Sequence, residues 1–172
     1  MRFFGVDYGT KRVGLAVGSD DGFRSSPVKT LVRSRSLHHD LAEIVRLAAK
    51  EETQGFVVGL PVNADGTHGP SAIAATQFAR SLMKHTSLPI YLHDEFLTTW
   101  EAEQEMLDAD VSRAKRRAVI DQMAAVHLLE GFFRARKEGV AFVALSPAPK
   151  RQSPDENNDA SPVASTEGSV AA

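Results

Sequence analysis

The sequence predicts an α/β fold in which a mixed sheet is flanked by helices. The sheet combines an antiparallel three-strand meander with parallel strands. Three observations lead there. Residues 1–18 hold two apolar runs around a polar, glycine-containing break, the pattern of a β-hairpin. Gly55-Phe56-Val57-Val58-Gly59-Leu60 is a short apolar run bounded by glycine, which suits a central parallel strand covered on both faces. After Ser36, helical and strand-like stretches alternate, which calls for crossover connections.

The hairpin comes first. Residues on a strand alternate between faces. Phe4 and Val6 share one face of the first run, and Phe3, Gly5 and Asp7 share the other. In the second run Val13, Leu15 and Val17 oppose Gly14, Ala16 and Gly18. One face is therefore bulky, and the other is small and leaves room beside Asp7. Gly22 to Pro27 reads as a polar turn, and Val28 to Arg33 as the third strand of the meander. From Ser36 to about Glu52 a helical pattern puts Leu41, Ile44, Val45 and Ala48 on one stripe. The strand 55–60 follows, then a loop from Pro61 to Pro70 rich in turn residues. A second helix carries Ala72, Ala75, Ala79, Leu82 and Met83, and Pro89 to His93 forms the next strand. Thr98 and Glu101 have the spacing of a capping box for a helix running to about Leu107. A long helix spans about Arg113 to Arg136 and stops at Gly139; Val140 to Leu145 is an edge strand or packs on the surface.

The predicted domain is 1–145, and 146–172 is an acidic tail that should be disordered: it is rich in Ser, Pro, Ala, Asn and Gly and has no periodicity. At 172 residues, one domain with a sizeable core is expected. The absence of cysteine excludes a disulfide framework or zinc–thiolate site and fits a reducing cytoplasm. No signal peptide is visible, and no apolar run reaches the roughly 20 residues of a membrane helix, so no membrane partner is expected. The net charge of −2 becomes +2 for residues 1–151 once Asp155, Glu156, Asp159 and Glu167 are set aside. A mildly basic folded part permits nucleic-acid binding.

Asp121 is the most informative residue. Its helix is apolar around nearly its whole circumference, which predicts deep burial, and no cation lies at i+3 or i+4. Either Arg117, at i−4, pairs with it, or it faces other carboxylates across a cation. Asp7 reads equally as a turn residue or as a metal ligand. Asp94 and Glu95 close a strand, where acids are common loop residues; alternation places Glu95 with Tyr91 and His93, opposite Ile90 and Leu92. Three acids on neighbouring elements suit Mg²⁺ or Mn²⁺, which prefer oxygen ligands. Two such ions would turn the site from negative to positive and fit it to a phosphodiester. Cations lie nearby in sequence. Lys11 and Arg12 sit at the hairpin tip, and Arg113, Lys115, Arg116 and Arg117 precede Asp121. Of these, Lys11, Arg12, Lys115 and Arg116 are the candidate substrate contacts. The 61–70 loop could also offer backbone N–H groups to a phosphate. The six histidines show no metal-ligand spacing.

Four motifs carry a resemblance: Asp7-Tyr8-Gly9-Thr10-Lys11-Arg12-Val13-Gly14-Leu15-Ala16; Val58-Gly59-Leu60-Pro61 through Asp65-Gly66-Thr67; Asp94-Glu95 with Thr98-Thr99; and Ile120-Asp121-Gln122-Met123-Ala124-Ala125. In this order, across about residues 2–145, they resemble the YqgF family of Holliday-junction-resolvase-like proteins, also described as pre-16S rRNA nucleases. The resemblance implies an RNase H-like fold, a cytoplasmic location and an endonuclease that uses Mg²⁺ or Mn²⁺, with two ions expected. It implies Asp7, Glu95 and Asp121 as the catalytic triad and metal ligands, with Asp94 in reserve. The implied role is processing of the pre-16S rRNA 5′ end in ribosome biogenesis. A DNA four-way junction is the alternative substrate, and a non-catalytic RNA-binding assembly factor is the alternative function. An ATP-binding domain of the actin–hexokinase type shares a similar hairpin but needs two such domains. The partner is thus structured RNA or branched DNA, for a monomer or a homodimer. One departure stands out: Phe96 replaces the arginine that usually follows Asp-Glu, which implies weaker phosphate binding or turnover.

Overall fold

The computed structural model describes residues 1–63, 65–95, 112–142 and 144–145, with only the backbone of Glu95. The expected helix at 98–107, Phe96 and the tail from residue 146 lie outside the described residues. The described elements are β1 (Arg2–Tyr8), β2 (Arg12–Ser19), β3 (Arg24–Val32), α1 (Leu37–Lys50), β4 (Gly55–Pro61), α2 (Pro70–Leu82), β5 (Ile90–Glu95), α3 (Arg113–Lys137) and β6 (Ala144–Leu145).

They build a six-stranded sheet in the order β3-β2-β1-β4-β5-β6. The meander is antiparallel, with Asp7 opposite Gly14 and Gly5 opposite Ala16. β4 runs parallel to both β1 and β5, and β6 adds an antiparallel edge. The expected mixed sheet is therefore present, and Val140 to Leu145 contributes a short strand to it. β4 is buried along Gly55 to Leu60, as a central parallel strand must be.

The two faces of the hairpin receive different layers. Phe4, Val6, Val13 and Leu15 pack with Phe56, Val58 and Ile90 against Leu41, Ile44 and Ala48 of α1 and Phe78, Ala79 and Leu82 of α2. The small-residue face receives α3: Phe3, Ala16 and Val57 meet Ala125, Leu128, Leu129, Phe132 and Phe133. An added Cβ at Gly14 would overlap the Asp121 backbone carbonyl, and one at Gly5 would lie 2.8 Å from Leu129 Cγ and 2.9 Å from the Ala125 oxygen. The glycines thus admit a helix at close range. The room expected on this face is therefore filled by α3.

Two further expectations shift. β3 begins at Arg24, not Val28. Pro27 read as a loop residue, but β3 is an edge strand and the register skips Val28 between Lys29 and Pro27. Edge strands and bulges tolerate proline. α3 is deeply covered only in its second half, from Ala125 to Phe133; residues 113–115 and 117 are exposed and 118–124 are partly buried. Its apolar circumference overstated burial because the first half lies over the hairpin tip and the edge strand β3, where Thr30 bonds Ala118. α1 matches its expected bounds, with Ser36 Oγ accepting from the His39 N–H at 3.2 Å as N-cap.

Candidate active site

β1 and α3 bring Asp7 and Asp121 together. Phe3 lies near Phe132 and Phe133 at one end of β1. Gly14, opposite Asp7, meets Asp121 at the other. The helix therefore runs antiparallel to β1 and delivers Asp121 to the carboxyl end of the parallel strands, where sites in such sheets form. Thr30 Oγ1 donates to the Ala118 carbonyl at 2.5 Å and pins the exposed half of the helix to β3. Sequence reasoning missed Thr30, because a threonine in an edge strand carries no signal of its long-range partner.

The two carboxylates have unequal surroundings. Arg12, on the same face of β2 as Gly14, donates through Nε to Asp121 Oδ2 at 2.5 Å. Asp121 thus pairs with a residue 109 positions away, and Arg117 is exposed on the surface. No described residue donates to the Asp7 carboxylate. Burial, and secondarily the charge of Asp121, push its pKa up to about 6. An acid pair with one cation is a site that a further positive charge would complete.

At the same rim, Glu95 ends β5 opposite Pro61, two strands from β1. Strands about 4.8 Å apart put β5 roughly 10 Å from β1. In the intervening β4, Gly59 is level with Asp7 and His93, and Pro61 is level with Glu95, since Val6 pairs with Val58, Gly59 with His93 and Pro61 with Glu95. Asp94 is not brought to the pair. It is exposed and lies 3.7 Å from His68 Nε2, on the loop before α2.

Among the described residues no cluster of three histidine or acidic side chains forms a metal site. Asp7 and Asp121 nevertheless fit a hard divalent cation. They supply two neighbouring carboxylates, and among the described residues none donates to Asp7.

The candidate cations surround this corner. Lys11 is exposed at the hairpin tip, where its carbonyl accepts from the Arg33 N–H at 3.0 Å. Arg113, Lys115 and Arg117 are exposed and Arg116 is partly buried, all near the amino end of α3. That end carries no acidic residue in its first turn and no side-chain cap from Ser112. Cations at the positive end of a helix dipole are unfavourable unless an anion joins them. The 61–70 loop is less suited to an anion than expected. The N–H groups of Asn63, Gly66 and Thr67 bond within the loop, to the Thr67 carbonyl, the Asn63 carbonyl and Asp65 Oδ1.

The sheet order and the helix layers define the RNase H-like class of fold. A family model described as Holliday junction resolvase, RuvX, matches residues 1–135. The "Putative pre-16S rRNA nuclease" of Bradyrhizobium diazoefficiens is 45% identical over 127 residues, covering 74% of this chain and 78% of that one. The protein of the same name from Moorella thermoacetica is 42% identical over 141 residues, covering 81% of this chain and 100% of its own. Two structures of Thermus thermophilus RuvC share the fold at 12% identity, each covering 84% of this chain. The protein alone gives a TM-score of 0.51 over 100% of its chain, and the complex with Holliday junction substrate gives 0.53 over 99%. The chain belongs to the RuvX (YqgF) family of nucleases. Among its described residues, no helix is long and apolar enough to cross a membrane.

Proposed function

We propose that this protein is a divalent-metal-dependent endonuclease that cleaves structured RNA and processes the 5′ end of pre-16S rRNA in the cytoplasm. The Asp7–Asp121 pair carries the reading: two carboxylates at the strand ends, one with its pKa raised by burial and by the other's charge. The relatives named as pre-16S rRNA nucleases support the choice of substrate.

Asp7, Asp121 and Glu95 would hold the metal. Mg²⁺ or Mn²⁺, when bound, supplies activation of the attacking water and neutralises charge on the leaving oxygen. The protein's own groups do the positioning. Asp7 is fixed by the β1–β2 pairing and Asp121 by the contact of α3 on Gly14. With Asp121 holding a cation, Arg12, now bonded to Asp121, would be free to meet a substrate phosphate. Lys11, Lys115 and Arg116 extend that positive rim, and the α3 dipole adds to it.

A DNA four-way junction is the second reading, favoured by the description of the matching family. Incubation of the full chain with Mn²⁺ and either precursor 16S rRNA or a synthetic junction separates the two. Cleavage of the precursor at least tenfold faster supports the RNA reading. Faster paired incision of the junction replaces it, and tight RNA binding without cleavage under either metal favours a non-catalytic assembly factor.

A further inference from the structure

On the opposite face of the sheet from Asp7 and Asp121, the structure brings together two histidines 47 positions apart. His38 lies in the first turn of α1, and His85 lies in the turn that follows α2, where its N–H bonds the Leu82 carbonyl at 2.8 Å. His85 Nε2 is 2.8 Å from His38 Nδ1, and the ring centroids are 4.9 Å apart. His85 Nδ1 is 3.0 Å from the Ser81 carbonyl. A carbonyl accepts only, so Nδ1 carries the proton and Nε2 presents its lone pair to His38. A ring nitrogen fixed by a backbone carbonyl on its far side is the arrangement that orients metal-ligating histidines.

We propose that His38 and His85 form a second metal site, for a borderline transition cation of the Zn²⁺ class, that clamps the start of α1 to the end of α2. In the metal-free chain the two nitrogens share one proton, donated by His38 Nδ1. On binding, His38 shifts its ring proton from Nδ1 to Nε2 through solvent and stays neutral, and the freed His38 Nδ1 and His85 Nε2 donate lone pairs to the cation. Zinc–nitrogen bonds of about 2.0–2.1 Å in tetrahedral geometry place two ligand nitrogens about 3.3 Å apart. The two nitrogens then part by only about half an ångström from their present 2.8 Å separation, and the exposed rings rotate so that both lone pairs meet at the cation. The pair is solvent-accessible, and no third histidine or acid among the described residues joins it, so water fills the other positions. Imidazole suits Zn²⁺ far better than Mg²⁺ or Mn²⁺, which separates this site chemically from the carboxylates.

The test is a titration of the full chain with Zn²⁺, followed by calorimetry and thermal unfolding, in parallel with His38→Gln, His85→Gln, His39→Gln and Asp7→Asn. One equivalent of Zn²⁺ should bind. It should raise Tm by about 5 °C at a hundredfold excess over its dissociation constant, because the cation favours the folded chain. Both effects should vanish in His38→Gln and His85→Gln and persist in His39→Gln and Asp7→Asn. Unchanged binding in His38→Gln, loss of binding in Asp7→Asn, or no binding in the wild type would each overturn the proposal.

Discussion

Asp7 has a folded-state pKa raised to about 6 from an ordinary 3.8. The folded chain therefore holds more protons than the unfolded chain between about pH 4 and 6. Stability of the metal-free protein falls as pH rises through that window and stays lowered above it. Asp7→Asn removes the carboxylate and should raise metal-free stability at pH 7–8, on the order of 1–3 kcal/mol, with the gain shrinking toward pH 4. Chemical denaturation across pH checks both the sign and the window. The Asp121→Ala variant is less simple, because it also strands the Arg12 guanidinium now bonded to Asp121. Arg12→Gln should raise the Asp7 pKa further, since it removes the guanidinium bonded to Asp121 and leaves that neighbouring charge uncompensated. Carboxyl carbon chemical shifts would report it; an unchanged titration would mean that Arg12 does not compensate the pair. At this scale the sequence singled out candidate acids but not their partners. Spacing rules on a helix reach only i±4, so they pointed to Arg117, whereas the partner came from another element.

Among elements, the contact between α3 and the hairpin positions the acids. Its hairpin half was legible: alternation showed a small-residue face beside Asp7. Its occupant was not, since a stripe of glycine and alanine admits a ligand or a helix equally well. Gly14→Ala places a Cβ on the Asp121 carbonyl and must displace backbone, not a flexible side chain. It should cost about 3 kcal/mol in unfolding free energy and abolish cleavage by moving Asp121. Gly66→Ala is the contrast. Its Cβ would meet nothing within 4 Å, but its φ of +81° is left-handed, so it should cost about 1 kcal/mol and leave cleavage intact. Equal losses in the two variants would contradict the close-packing account. β3 shows another limit of local reading: Pro27 suppressed a strand signal that an edge position tolerates.

For the whole molecule, the order of strands and helices was readable because each buried run kept its own period. The central strand β4, apolar throughout, and the capped helix α1 are the clearest cases. The handedness of charge was not readable from the net value of −2, because four acids lie beyond residue 151 and the rest of the chain is positive. If those acids only aid solubility, a chain ending at residue 151 should keep its Tm and cleavage rate while binding RNA somewhat more tightly at low salt. Circular dichroism melts and salt-dependent binding curves would measure this; a loss of folding would instead tie the tail to the domain. The central claim is that Asp7 belongs to a metal-dependent phosphodiester-cleaving centre. Single-turnover cleavage of precursor 16S rRNA by the wild type and Asp7→Asn, with Mg²⁺ or Mn²⁺ and after chelation, tests it most directly. Cleavage should require metal and fall at least about a thousandfold in Asp7→Asn while Tm holds or rises. Cleavage by Asp7→Asn at the wild-type rate, or cleavage that survives chelation, would contradict it.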